Sequence, residues 1–194
     1  MFVRTCALLT CTAALALAGQ ARAQTAPEFR LVDEVRFAVL QHDTGVIGEN
    51  REDGVDLGVE VLSTPIEALR LIGSPKVVAG ALVNTDGYTN QIYLGLQAER
   101  TLASQVFSPN DAIYLEGMVG AAWHDGKLDV SGTPLEDEWK SHGSRVVFRT
   151  GFGVGYRFNE KWSLTATFHH ISNADTSLPN EGSNDIGLRL GMKL

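Results

Sequence analysis

Cysteine is nearly absent from this chain. It has two, Cys6 and Cys11, and both fall inside a segment with the pattern of a cleaved secretory leader. Arg4 supplies the positive start, Ala7 to Ala18 a short apolar run, and Ala21-Arg22-Ala23 the small-x-small cleavage pattern before Gln24. Thr10 before Cys11 and apolar sequence after it argue against lipid attachment there. With residues 1–23 removed as a signal peptide, residues 24–194 hold no thiol, which excludes disulfides and a cysteine nucleophile. Long apolar runs are missing as well. After residue 23 no stretch approaches the roughly 18 uninterrupted apolar residues of a membrane helix, so a helical membrane protein is excluded. Basic charge is scarce: 16 Lys and Arg stand against 23 Asp and Glu, and the leader would remove Arg4 and Arg22. No basic stripe is left to neutralise phosphates, which argues against a nucleic-acid partner. Metal-ligand spacing is lacking too. His42, His124 and His142 are scattered and no H-E-x-x-H occurs. Gly151-x-Gly153-x-Gly155 has no helix after it to make a phosphate loop. Neither a metal nor an organic cofactor is expected.

What the chain does have is alternation. After Asp33 the pattern is almost entirely of period two, the spacing of a strand with unlike faces. Eight such segments follow one another. The sixth is the cleanest: Val146, Phe148, Phe152, Val154, Tyr156 and Phe158 face one way, while Arg145, Arg149, Gly151, Gly153, Gly155 and Arg157 face the other. The fourth sets Tyr88, Ile92, Leu94 and Leu96 against Gln91, Tyr93, Gly95 and Gln97. Long joints are predicted at Ser63 to Pro75, where Ile66 to Leu71 suits one helical turn, at Glu99 to Asp111, and at His124 to His142. Asn84-Thr85-Asp86-Gly87 and Asn159-Glu160-Lys161 read as tight turns.

Eight segments of about ten residues, apolar on one face and Gly/charged on the other, fit two all-β architectures. In a soluble barrel the apolar face points inward. In an outer-membrane barrel it meets lipid, and the other face fills the lumen. Glycine weakens a strand and has little use on a solvated face, whereas a narrow eight-stranded lumen needs small residues beside its arginines. The composition therefore favours an eight-stranded antiparallel transmembrane β-barrel formed by residues 24–194 as one domain. Asp56, Glu60 and Glu116 are expected to pair inside with Arg36, Arg149, Arg157 and Arg189. The reverse arrangement, a soluble periplasmic lipid-binding barrel, is the alternative. With the termini in the periplasm, the joints after the odd strands lie outside.

The seventh segment carries the candidate chemistry. Trp162, Leu164, Ala166, Phe168, His170 and Ser172 share one face; Ser163, Thr165, Thr167, His169 and Ile171 share the other. An apolar ladder thus ends in a His/Ser pair two residues apart on one face, where a histidine reaches a serine hydroxyl as its general base. By parity His169 belongs to the lumen, hydrogen-bonded there. A plainer account of His170 and Ser172 is a strand end bonded to its loop, in a small barrel with a structural or adhesion role.

The surrounding residues resemble the outer-membrane lipid A 3-O-deacylase family, whose active-site strand reads H-x-S-N-A, followed by an N-x-G turn and a short last strand. Here stand His170-Ile171-Ser172-Asn173-Ala174, Asn180-Glu181-Gly182, and then Asn184 to Leu194. The resemblance implies a serine esterase that removes the 3-O-linked acyl chain of lipid A in the outer membrane of a Gram-negative bacterium. Lipid A, or lipopolysaccharide, is then the substrate and outer-membrane lipid the surroundings. It also implies Ser172 as nucleophile, His170 as base, and the Asn173 side chain with the backbone N–H around Ala174 as oxyanion donors. Asn173 equally suits a turn closing the strand. The family's usual glutamate, two residues after the N-x-G glycine, is Asn184 here. Asn184 shares a face with Ile186 and Leu188 and so lies within reach of His170. Asp185 points inward, and Glu181 in the loop is the alternative orienting group. The C-terminal Leu194 also departs from the aromatic residue with which such barrels usually end.

Overall fold

The computed structural model describes residues 28–194. The expected secretory leader and both cysteines lie outside the described residues. Eight strands follow in order: β1 Glu34–Gln41, β2 Val55–Leu62, β3 Lys76–Asn84, β4 Gln91–Ser104, β5 Ala112–His124, β6 Val146–Arg157, β7 Trp162–Ser172 and β8 Ser183–Lys193. Each pairs antiparallel with its neighbour in sequence, and β1 pairs with β8, closing an all-β barrel without edges. Among the described residues no helix is long and apolar enough to cross a membrane, so any crossing falls to the strands.

The alternation read from sequence is the inside–outside alternation of this wall. Phe37, Val39, Ile92, Leu94, Val119, Phe148, Phe152 and Val154 are each half or more exposed on the exterior. Arg36, Glu60, Glu116, Arg149 and Arg189 are buried within. A soluble barrel with its apolar face inward is thereby ruled out. The lumen is filled rather than open. Arg189 Nη1 donates to both Glu60 oxygens at 2.9 Å, and its other terminal nitrogen reaches Glu116. Arg36 donates to Glu34 at 2.6 Å and to Glu116 at 2.9 Å. Arg157 pairs with Glu99, whereas Arg149 Nη1 donates to Gln91 at 2.7 Å and stands 3.9 Å from Asp185. The glycines of β6 make room for this packing. A Cβ on Gly155 would stand 2.1 Å from the Tyr114 ring, and one on Gly151 would stand 2.4 Å from His169.

Two readings differ from expectation, and one joint matches it. Glu99 to Asp111 is not a loop: β4 continues to Ser104 in register with β5, apart from an irregularity between Thr101 and Ala103. The last five residues of β4, Arg100–Ser104, are exposed on both faces, so no alternation marks them. Tyr88 precedes β4 and packs in the loop against Trp139, ring centroids 5.0 Å apart. The helical turn between β2 and β3 is a 3-10 segment, Glu67–Ile72. The loops after β1, β3, β5 and β7 gather at one end of the barrel, opposite the end from which β1 starts and at which β8 finishes.

Candidate active site

β7 positions the candidate pair and β8 supplies its partner. Along β7 the residues of the Thr165 register are buried in the lumen, and those of the Leu164 register face outward. His170 and Ser172 continue the outward register and are half-buried by the loops above them. In the antiparallel register His170 stands opposite Asn184. There, His170 Nδ1 lies 2.9 Å from Asn184 Oδ1, while Asn184 Nδ2 donates to the backbone carbonyl of Ile47 at 2.6 Å. That carbonyl can only accept, so it fixes the amide with its nitrogen toward Ile47 and its oxygen toward the ring. The ring proton is then required on Nδ1, and Nε2 is left with its lone pair. Asn184 is fully buried, out of competition from water. The role of Ile47 had no signal in the sequence, because a backbone carbonyl 137 residues away carries no residue-type preference.

His170 and Ser172 line a cavity of about 520 Å³ together with Ile47, Gly48, Arg51, Lys140 and the Asn180-Glu181-Gly182 turn. Gly182 lies flat against the imidazole: a Cβ there would meet His170 Cε1 at 2.6 Å. A larger cavity, about 790 Å³, opens at the opposite mouth between Glu34, Lys76, Glu99 and Arg157. It is lined by neither His170 nor Ser172, and the smaller cavity is therefore the candidate site. Within it, Ser172 Oγ and His170 share a face without a direct hydrogen bond among the described residues. Such contacts are often long before substrate binds.

Two other candidates are engaged elsewhere. Asn173 is buried, and its Nδ2 donates toward the carbonyls of His142 (2.8 Å), Ser177 (2.8 Å) and Pro179 (3.2 Å). Its own N–H donates to Asn180 Oδ1 at 2.9 Å. With both amide protons committed, Asn173 stitches the loop at 125–145 to the one at 173–182, which matches the turn-closing reading rather than an oxyanion donor. Ala174 follows with φ +52° and Asp175 with φ +59°. The Ala174 N–H is exposed and has no assigned partner among the described residues. Glu181 is likewise occupied: it accepts from the Ser141 N–H at 2.6 Å and pairs with Arg51 Nη1 at 2.8 Å. It does not reach His170. His169 is buried in the lumen with Nε2 3.0 Å from Thr167 Oγ1, and Asp185 also points inward and is buried.

Comparison with known proteins follows the same geometry. No curated protein matches the sequence. A solved structure described as the crystal structure of the outer membrane enzyme PagL superposes with a TM-score of 0.61 at 16% identity, covering 83% of this chain and 99% of that one. At that identity the likeness is one of fold. The family model for lipid A 3-O-deacylase (PagL) matches residues 79–193, from within β3 through β8. That match takes in the His170-x-Ser172 strand, its Asn184 partner and more than half of the chain, which therefore belongs to the lipid A 3-O-deacylase family.

Proposed function

We propose that this deacylase cleaves the 3-O-linked acyl ester of lipid A from the lipid-facing side of the barrel wall, with Ser172 as nucleophile and His170 as general base. The observation that carries the reading is the outward His170, its Nδ1 proton fixed by Asn184 and its Nε2 free on the face and in the cavity of Ser172. The mature chain, residues 24–194, lies in the outer membrane with its termini in the periplasm. The active end then meets the outer leaflet, and an acyl chain approaches along Phe168 and the rest of the exterior apolar ladder. The cleft receives only the ester.

In the first half-reaction, Ser172 Oγ gives its proton to His170 Nε2 and bonds to the acyl carbonyl carbon. The bond between the acyl carbonyl carbon and the sugar oxygen then breaks, and that oxygen leaves as the sugar hydroxyl, taking the proton from Nε2. In the second half-reaction water loses a proton to Nε2 and attacks the acyl-serine. Ser172 leaves with the proton and a free hydroxy fatty acid is released. The Ala174 N–H, two residues after the nucleophile in a left-handed turn of the backbone, is the available donor for the oxyanion. Asn184 holds the base in one tautomer but adds no charge to the imidazolium, which sets it apart from a carboxylate at this place.

Mass spectrometry of lipid A from cells with and without the chain tests the proposal. Loss of one hydroxyacyl group is expected, and Ser172→Ala should abolish it, a drop of at least about 10³-fold. Heat-modifiable gel migration confirms that the variant still folds. An acyl pattern unchanged from empty-vector cells would leave a barrel without the activity.

A further inference from the structure

Directly inside the wall from the candidate site, three side chains that are distant in sequence converge on one point. His42 Nδ1 lies 2.9 Å from Asp56 Oδ2 and 3.5 Å from Asp185 Oδ1, and the three atoms are all within 4.8 Å of one another. All three side chains are at least 98% buried. A single Nδ1 proton satisfies one carboxylate, and it is aimed at Asp56. Asp185 Oδ1 is left without a hydrogen-bond partner among the described residues although it faces the same nitrogen.

We propose that His42, Asp56 and Asp185 form a buried binding site for a divalent transition-metal ion of the zinc type. Zinc takes imidazole nitrogen and carboxylate oxygen at about 2.0–2.2 Å, which sets neighbouring ligand atoms about 3–3.5 Å apart, close to the spacing His42 Nδ1 already has from each carboxylate oxygen. The outer contacts fit as well. A metal-bound histidine donates its remaining ring N–H to a carboxylate, and here His42 Nε2 lies 3.0 Å from Glu52 Oε2. Glu52 is held in turn by the Lys140 N–H at 3.0 Å, and Asp56 Oδ1 by Asn84 Nδ2 at 3.0 Å.

Charge points the same way. Glu52, Asp56 and Asp185 are three buried carboxylates, and the nearest permanent cation is Arg149, 3.9 Å from Asp185. Lys140 is engaged with Asp43 and the Glu49 carbonyl. With a neutral imidazole, the three carboxylates and Arg149 together carry a net charge of two negative units, which a divalent ion cancels. Calcium is disfavoured, because it takes six to eight oxygens and this site offers a ring nitrogen and few oxygens. The ion would pin the loop at 42–54, through His42, to β8 at Asp185. That loop holds Asn184 through Ile47, so the site braces the base's support without touching the reacting atoms.

The test uses the full mature chain, purified folded in detergent, stripped with chelator and dialysed against Zn²⁺. One zinc per chain by elemental analysis is expected, along with a higher temperature for the heat-modifiable gel shift. Asp185→Asn should lose both the zinc and the shift, and Glu52→Gln should weaken zinc affinity about 10–100-fold. Co²⁺ added to the wild type should give the visible d–d bands of a nitrogen/oxygen site, a readout that requires no variant to fold. Absence of those bands, or equal zinc content in Asp185→Asn, would overturn the proposal.

Discussion

The two ends of the barrel interior handle charge differently. Toward the end where β1 begins, Arg36 and Arg189 are interleaved with Glu34, Glu60 and Glu116, and each of these carboxylates has a guanidinium partner. Toward the loop end stand all five histidines of the chain: His42, His124, His142, His169 and His170. There the acids outnumber the permanent cations, and buried ring nitrogens of His124, His142 and His169 go without partners. Arginine keeps its charge at any accessible pH and pairs carboxylates in a fixed fork, which suits a plug. Histidine changes charge and tautomer near neutrality and binds metals, which suits the end where the proposed chemistry lies. The arginine-paired end therefore supplies rigidity to a wall whose proposed catalytic residues sit at the other.

Breaking the arginine-paired end should have the largest effect. Arg189→Met leaves Glu60 and Glu116 short of a buried partner, and removing one member of such a pair costs about 3–5 kcal/mol. Urea unfolding in detergent should show that loss, with Glu60→Gln added to Arg189→Met recovering part of it. Specific activity of the molecules that remain folded should stay unchanged. At the loop end the signs reverse, with activity lost and stability kept. Asn184→Ala frees the His170 ring to take the wrong tautomer, and kcat should fall about 10²-fold, the lower range of a general-base contribution. Gly182→Ala brings a methyl group to 2.6 Å from the His170 ring and 2.9 Å from the Ile171 carbonyl. The ring must move by part of an ångström, and a drop of about 10-fold in kcat is expected, since a full 1 Å misplacement costs about 10²-fold. Steady-state assays on a soluble acyl ester would separate kcat from KM in both variants.

How far the sequence reveals this contrast depends on what generates its signal. Strand parity is legible because a closed wall has one apolar and one packed face, so β6 and β7 are readable residue by residue. The same parity puts Asn184 beside His170 and Asp185 inside. It fails at the end of β4, Arg100–Ser104, where neither face of the strand is buried and nothing selects alternation. Side-chain commitments are not legible either. Asn173 resembles an oxyanion donor by its place after Ser172, yet three loop carbonyls claim its amide. The His42, Asp56 and Asp185 cluster is hidden for a related reason: its members come from three separate stretches, and only barrel closure between β1, β2 and β8 brings them together.

The smallest effect distinguishes the loop end by pH. Burial, and then the neighbouring His124, hold the His142 imidazole well below its ordinary range. The two rings pack at 4.5 Å between centroids, and neither nitrogen of His142 has a hydrogen-bond partner among the described residues. In the unfolded chain the same group titrates near about 6.5. Below that value the unfolded state binds a proton that the folded state refuses, so stability must fall as the pH drops. The decline flattens only once the folded imidazole itself is protonated. His142→Phe keeps the ring packing and removes the titration, so its stability should decline less steeply than that of the wild type from about pH 6.5 downward. The carbonyl of residue 142 still receives the Asn173 amide in this variant, so the loop stitch is retained. Parallel urea titrations of the two proteins at stepped pH values measure the difference in slope. Coincident slopes would mean that His142 takes its proton in the folded barrel as easily as outside it, and the contrast between an arginine-paired end and a titratable end would lose its clearest marker.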